Sequence, residues 1–294
     1  MNSETVVLHA AKKMCLVLFF WYVFILTSAV SAQTVAETTR HEVIQMRTAD
    51  GIEFGIWPAQ PEKPAPTLIV LASTIQATLG QPYFRQSGNL LAEHGFLCVT
   101  IDLPCHGSQK RPEEPDGIEG WRYRCDHQEN FITDLNQRLS AVLTQLIEQK
   151  LTDPERIAVC GTSRGGYSAL QFAASDSRVR CVAAFAPVTD LSKLSEFQGA
   201  EENPLVQSLS LENIADRLTD RGVWIIIGDR DARVSTESAI AFARRVTEKS
   251  LAAKLSPRLD LHVVAEPKGH TTPAGAAEMA AEWILKEFGV HSGR

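Results

Sequence analysis

Residues 156–175, RIAVCGTSRGGYSALQFAAS, decide how the rest of the chain is read. RIAVC is a short apolar run of β type and GGYSALQFAAS has helical composition, so the chain turns sharply from strand to helix between them. Gly161-Thr162-Ser163-Arg164-Gly165 fills that turn with a G-x-S-x-G pattern, in which small residues let a sharp backbone turn lift the serine above the sheet. The pattern alone is weak. At ordinary Gly and Ser frequencies roughly one chain in ten of this length carries it by accident. The strand before it and the helix after it supply the missing specificity, and Ser163 is the candidate nucleophile.

A serine hydroxyl is inert near neutral pH without a base beside it. This strand–turn–helix serine resembles the nucleophile elbow of α/β-hydrolases, and that resemblance implies an acid and then a histidine following the serine in chain order. His270 is the candidate base: it follows LHVVAEPKG in a loop leaving the last apolar run, with Gly269 giving the backbone freedom to turn. His262 lies within that run, His291 in the tail, and His94, His106 and His127 precede Ser163, so these read as surface or hydrogen-bonded structural residues. Two acids compete in GDRDARVS. Asp229 directly follows VWIIIG, where it reads as a turn acid, whereas Asp231 lies two residues further into the loop and can turn toward a neighbouring histidine. Charge developing on an attacked carbonyl oxygen needs preorganised donors, and the backbone N–H groups of Arg164 and of Thr74, in the loop after TLIVLA, are the candidate oxyanion pair.

Outward from Ser163, strand-like and helix-like runs alternate. TLIVLA, FLCVTIDL, RIAVCG, CVAAFAP, VWIIIGD and LHVVAE are apolar on both faces, as strands of a parallel sheet covered by helices must be. QENFITDLNQRLSAVLTQLIEQ, AIAFARRVTEK and AGAAEMAAEWILKEF carry the helical period. Ahead of them EVIQMRT and IEFGIW are joined by Ala49-Asp50-Gly51, a hairpin signal. The expectation is an α/β fold: an eight-stranded, mostly parallel sheet opened by an antiparallel hairpin, helices on both faces, in one domain over 41–294. Two insertions interrupt the alternation: the long polar loop PCHGSQKRPEEPDGIEGWRYRCDH (104–127), and DLSKLSEFQGAEENPLVQSLSLEN (190–213), a short, partly helical cap. Both leave the carboxyl ends of strands, where open α/β sheets bind ligands, and both are expected to wall a substrate pocket.

The amino-terminal segment is different material. Lys12 and Lys13 precede the apolar run Met14–Val30, and Val30-Ser31-Ala32 ends it with small residues, the pattern of an export signal over 1–32 cut after Ala32. The run is nearly long enough for a retained membrane anchor instead. Either way the protein is expected outside the cytoplasm, secreted or periplasmic, with 33–40 as a flexible lead-in. Export leaves Cys98, Cys105, Cys125, Cys160 and Cys181, an odd set. Cys98, Cys160 and Cys181 sit in apolar runs as small hydrophobes, while Cys105 and Cys125 flank a polar loop and are the disulfide candidates.

At 294 residues, with 44% hydrophobic and 22% charged residues, the chain can bury a full core. A net charge of −6 with scattered basic residues excludes a nucleic-acid footprint. There is no HExxH, no paired Cys/His spacing, no phosphate-binding Gly-rich loop and no dinucleotide fingerprint, so no cofactor or metal is expected.

The order of these motifs resembles the α/β-hydrolase superfamily over essentially the whole mature chain. DPERIAVCGTSRGG, GDRDARV and KGH look most like its dienelactone-hydrolase and prolyl-oligopeptidase-like branch, and no segment could form the propeller of prolyl oligopeptidases. That branch places its acid in a G-x-x-D-x-x-V run, matched by Gly228, Asp231 and Val234, so the resemblance favours Asp231. DLPCHGSQ is similar to the superfamily's D-x-P-G-H-G-x-S loop, with Cys105 in place of glycine. Dienelactone hydrolases use a cysteine nucleophile where this chain has Ser163, so lactone substrates are not implied. The resemblance implies a cofactor-free serine hydrolase cleaving small or medium-sized carboxylic esters through an acyl-enzyme. The alternatives are a peptidase of short peptides and a non-catalytic binding protein on the same fold.

Overall fold

A strand that is apolar on both faces is satisfied only between two helical layers. The computed structural model, which describes residues 42–58 and 64–290, shows that arrangement. Its strands are β1 (Ile44–Arg47), β2 (Glu53–Trp57), β3 (Ala65–Leu71), β4 (Leu97–Thr100), β5 (Thr152–Thr162), β6 (Val179–Phe185), β7 (Gly222–Gly228) and β8 (Leu259–Val264). They form one eight-stranded sheet in the order β1-β2-β4-β3-β5-β6-β7-β8. β1 pairs with β2 and β2 with β4 antiparallel, and every later pairing is parallel. The hairpin turns where expected, with Thr48 N–H donating to Ile52 O at 2.8 Å and Thr48 Oγ1 to Asp50 at 2.6 Å.

Helices fill the crossovers: α1 (Ile75–Gly80), α2 (Pro82–Arg85) and α3 (Gly88–Glu93) after β3, then α4 (Gly117–Asp126) and α5 (Phe131–Glu148) after β4. α6 (Arg164–Ser175) follows β5, α7 (Pro204–Ser208) follows β6, α8 (Thr236–Ala252) follows β7, and α9 (Ala276–Glu287) follows β8. Alternate residues of one strand feed opposite cores. Ile69 and Leu71 of β3 join the cluster holding Leu139 of α5, Leu170 of α6 and Phe242 of α8, while Leu68 and Val70 join Leu91 of α3 and Ile284 of α9. Strand order reverses at β3, with β4 on one side and β5 on the other, and the carboxyl ends beside such a reversal are where open α/β sheets bind ligands.

Two expectations need correction. Residues 104–127 are not simply a polar loop, because α4 forms within them: Ile118, Trp121 and Cys125, at helical spacing, are buried in the core. Trp121 stacks on Phe131 at 4.8 Å between ring centroids, and its indole N–H donates to Pro104 O at 2.7 Å. The helix also removes the Cys105–Cys125 disulfide. Both thiols are buried and free. A Cβ at Gly120 would lie 2.8 Å from Cys105 Sγ, which places that thiol beneath the first turns of α4. Cys125 is five residues further along, about 7.5 Å by helical rise, beyond ordinary disulfide geometry. Burial pushes both thiols up to about 12, so neither is poised to oxidise. Cys98, Cys160 and Cys181 are buried and free as expected.

The second insertion consists of short helical turns and α7, and its Leu191, Leu194, Phe197, Val206 and Leu209 are buried in the main core. The expected signal (1–32) and lead-in (33–40), with His41 and His291, lie outside the described residues. Among the described residues no helix is long and apolar enough to cross a membrane.

Candidate active site

Ser163 stands between β5 and α6 with φ 54° and ψ −115°, a conformation costly for a side-chain-bearing residue unless its surroundings enforce it. They do. Ser163 N–H donates to Phe185 O at 2.8 Å, and Ser163 O accepts from Tyr167 N–H at 3.0 Å and Val188 N–H at 3.2 Å. The flanking glycines are required by close approach: a Cβ on Gly161 would sit 2.3 Å from the Gly165 carbonyl, and one on Gly165 only 1.9 Å from Leu71 O. The second contact seats the first turn of α6 against the end of β3, which brings the loop Ala72–Thr74 toward Ser163.

Asp102, from the DLPCHGSQ run, pins that loop. Its Oδ1 accepts from Ile75 N–H at 2.7 Å, and its Oδ2 accepts from Ser108 N–H at 2.7 Å and Ser108 Oγ at 2.8 Å. Leu103 N–H also donates to Ser73 O at 2.9 Å. Thr74 caps α1, its hydroxyl accepting from Ala77 N–H at 3.0 Å. Among the described residues, the backbone N–H groups of Thr74 and Arg164 have no acceptor, the second being a first-turn orphan of α6.

Asp231 follows β7 and is 2% exposed. Its Oδ1 accepts from Arg233 N–H at 3.0 Å and Val234 N–H at 3.2 Å, which leaves Oδ2 for His270 Nδ1 at 2.8 Å. Thr236 Oγ1 staples the same loop, donating to Gly228 O at 2.6 Å and accepting from Asp231 N–H at 3.2 Å. Because a carboxylate only accepts, it assigns the imidazole proton to Nδ1. The Nε2 lone pair then faces Ser163 Oγ at 3.0 Å, so the hydroxyl donates to the ring. The His270 side chain is 28% exposed, leaving the Ser163 end open to solvent.

Asp229, the competing acid, is elsewhere engaged. It accepts from Arg230 Nε at 2.9 Å and Glu266 N–H at 3.1 Å, and these bonds, Arg230's first, hold its carboxyl down at about 2. The other described histidines do not meet Ser163: His262 packs on Trp224 at 5.2 Å between ring centroids, His127 on Tyr123 at 4.1 Å, and His94 caps α3. His106 is more involved than its sequence context indicates. It is buried, donates from Nδ1 to Pro104 O at 2.8 Å, and accepts from Arg164 Nη1 at its Nε2, 2.7 Å away.

The sequence gives no sign of the hydroxyl network that steadies the histidine loop. Tyr83 OH donates to Thr272 Oγ1 at 3.2 Å and accepts from Thr272 N–H at 3.4 Å, while Thr162 Oγ1 lies 3.4 Å from Thr272 Oγ1 and accepts from Gln86. A separate cleft of about 530 Å³, lined by residues including Asn130, Gln137, Gln171 and Arg217, contains none of Ser163, Asp231 and His270.

An eight-stranded sheet of this order, with a strained serine between its central strand and the following helix, defines an α/β-hydrolase fold. Solved structures share it. An esterase from Pyrococcus furiosus superposes with a TM-score of 0.59 over 84% of this chain and 92% of its own, at 19% identity. Puromycin hydrolase gives 0.62 over 86% of this chain and 40% of its own, at 18% identity. Acetyl xylan esterase 1 from Thermoanaerobacterium sp. JW/SL YS485 gives 0.55 over 84% and 88%, also at 18% identity. Residues 51–279 match the Esterase family, and the chain belongs to it. A curated relative, an uncharacterized 31.7 kDa protein of the traX-finO intergenic region of Escherichia coli, is 25% identical over 156 residues, 53% of this chain. The chain spans about half, 50%, of that relative's length.

Proposed function

We propose that the protein is a serine carboxylesterase working through an acyl-enzyme, with Ser163 as nucleophile, His270 as base and Asp231 as its orienting acid. The observation that carries this reading is the relay from Asp231 Oδ2 through His270, 2.8 Å on one side and 3.0 Å on the other, to Ser163 Oγ. As Ser163 Oγ attacks the ester carbonyl, its proton passes to His270 Nε2, and Asp231 stabilises the resulting imidazolium without taking the proton. The tetrahedral oxyanion is held by the orphan N–H groups of Arg164 and Thr74. Collapse expels the alcohol, which takes the proton from His270. Water, deprotonated by the same ring, then releases the acid and restores Ser163.

The test is labelling with a fluorophosphonate followed by peptide mapping, run beside p-nitrophenyl acetate, p-nitrophenyl butyrate and short peptide anilides. The adduct is expected on Ser163 with turnover of the esters. Turnover of anilides alone would make the protein a peptidase, and neither label nor turnover would leave a binding protein. We also propose export, on the strength of Lys12, Lys13 and the apolar run ending at Ala32. The mature chain is then expected to begin at Gln33, and recovery from the cell envelope with Met1 intact would refute cleavage.

A further inference from the structure

Arg164 follows the nucleophile, yet it is half-buried and, among the described residues, has no carboxylate within ion-pair distance. Its side-chain hydrogen bond goes to His106 Nε2 at 2.7 Å. With His106 Nδ1–H committed to Pro104 O, that ring nitrogen offers a neutral lone pair. Burial, the largest influence, and Arg164 itself depress the His106 pKa, which keeps the ring an acceptor. A half-buried guanidinium without a counter-ion is costly to fold around. A neutral donor could have held His106 equally well, so the charge needs another explanation.

The surroundings locate what the charge faces. His106 comes from the segment after β4, Arg233 from the loop after β7, and Glu196 from the insertion after β6, all leaving the same carboxyl-terminal edge as Ser163. Gly117, at the start of α4, lies against the guanidinium: a Cβ there would be 3.4 Å from Arg164 Nη1. Arg233 is already matched, its guanidinium 2.5 Å from Glu196. Burial first, and then the Arg233 charge, hold the Arg164 pKa below its ordinary value, with Glu196 and Asp116 acting in the opposite direction. One cation without an ion-pair partner among the described residues is therefore carried by the residue that follows the reacting serine, on the carboxyl-terminal edge from which His106, Glu196 and Arg233 also come. The carboxylates of Glu196 and Asp116 nearby favour a monoanion over a dianionic phosphate.

We infer that Arg164 forms an anion subsite beside Ser163, and that the preferred esters carry a single carboxylate on a short chain near the scissile carbonyl. His106 is a positioning residue that aims the guanidinium. The inference rests on the esterase reading of Ser163 and names its substrate class.

The experiment compares mono-p-nitrophenyl glutarate with neutral p-nitrophenyl valerate on wild type, Arg164→Gln, Arg164→Lys and Glu196→Gln. Wild type is expected to favour the glutarate in kcat/KM by roughly ten- to hundredfold, the scale of a charge-assisted hydrogen bond. Most of that preference should lie in KM. Arg164→Gln should bring the ratio close to one, Arg164→Lys should restore part of it, and Glu196→Gln should leave it intact or raise it. A ratio near one in wild type, or an unchanged ratio in Arg164→Gln, overturns the subsite. If Arg164→Gln merely disturbs the elbow, both esters suffer alike, the ratio survives, and the inference falls. Protection provides a readout free of turnover: monomethyl glutarate should slow fluorophosphonate labelling of Ser163 in wild type and not in Arg164→Gln. Labelling without protection sinks the subsite alone, whereas no labelling of Ser163 sinks the esterase reading and the subsite with it.

Discussion

The loops that carry Ser163, Asp231 and His270 and the excursion of residues 104–127 leave the same edge of the sheet but are held by different means. Ser163 is fixed by three backbone hydrogen bonds and two glycine contacts, and Asp231 by the amides of Arg233 and Val234. The excursion is braced by side-chain bonds within itself. Arg124 binds buried Glu114 twice, Nη2 at 2.7 Å and Nε at 2.9 Å, and also donates to Gln109 O at 2.9 Å. A backbone-built turn tolerates side-chain changes in its chemistry without losing its shape. A wall braced by a buried ion pair is more sensitive to the loss of one side chain.

The contrast breaks most visibly at Asp231. Asp231→Asn keeps an acceptor at Oδ1 for the loop amides but presents the wrong partner to His270 Nδ1, so kcat on p-nitrophenyl butyrate should fall roughly 10⁴-fold, about 5.5 kcal/mol. Thermal unfolding should hardly move. A large loss of Tm with kcat retained would mean the residue works as a loop brace. Asp229→Asn, by contrast, should be close to wild type.

At Glu114 the effect should appear in stability instead. Glu114→Ala leaves Arg124 buried and unpaired, at a cost of about 3–5 kcal/mol in denaturant unfolding. The pH dependence has a definite sign. Burial alone would raise the Glu114 carboxyl, but the bonds from Arg124 and the Arg111 amide outweigh it and hold the group at about 2, below its ordinary 4.5. The pair's contribution is thus fully present above the unfolded value and drains away as pH falls toward about 2. Wild type should lose stability across that window more steeply than Glu114→Ala. Parallel curves would show that Glu114 is not the titrating partner.

The same contrast explains what was legible in the sequence. Ser163 announces itself because G-x-S-x-G is demanded by the sharp strand-to-helix turn, Asp231 through the G-x-x-D-x-x-V run of the family that the chain resembles, and His270 by its place in the loop after the last apolar run. The sheet was legible because its inner strands, β3, β4, β6 and β7, are apolar on both faces. α4 was not: Pro, Gly and charges fill the segment, and only Ile118, Trp121 and Cys125 carry the helical period. The disulfide expectation failed with it, since a helix places Cys125 well beyond Cys105 where a loop would have allowed them to meet. The local pattern marks Arg164 for its amide alone. Its side-chain partner, His106, is 58 residues away, a distance no local pattern spans.

The finest test separates the elbow from the loop that delivers the base. His270 sits two residues before Thr272, whose amide and hydroxyl both bond Tyr83 OH across 189 residues. Tyr83 is 50% exposed, so water competes for these bonds and each is worth about 0.5–1.5 kcal/mol at most. Tyr83→Phe removes both while keeping the ring. If the network sets the aim of His270, kcat should fall roughly two- to tenfold with KM and Tm nearly unchanged, because the relay must close to 3.0 Å for proton transfer but not for folding. The Ser163 elbow has no bond to Tyr83, so fluorophosphonate labelling should slow only as far as base catalysis does. A Tyr83→Phe enzyme with unchanged kcat would show that Asp231 and the backbone of 266–270 suffice to hold the ring, and would make the catalytic side wholly backbone-built.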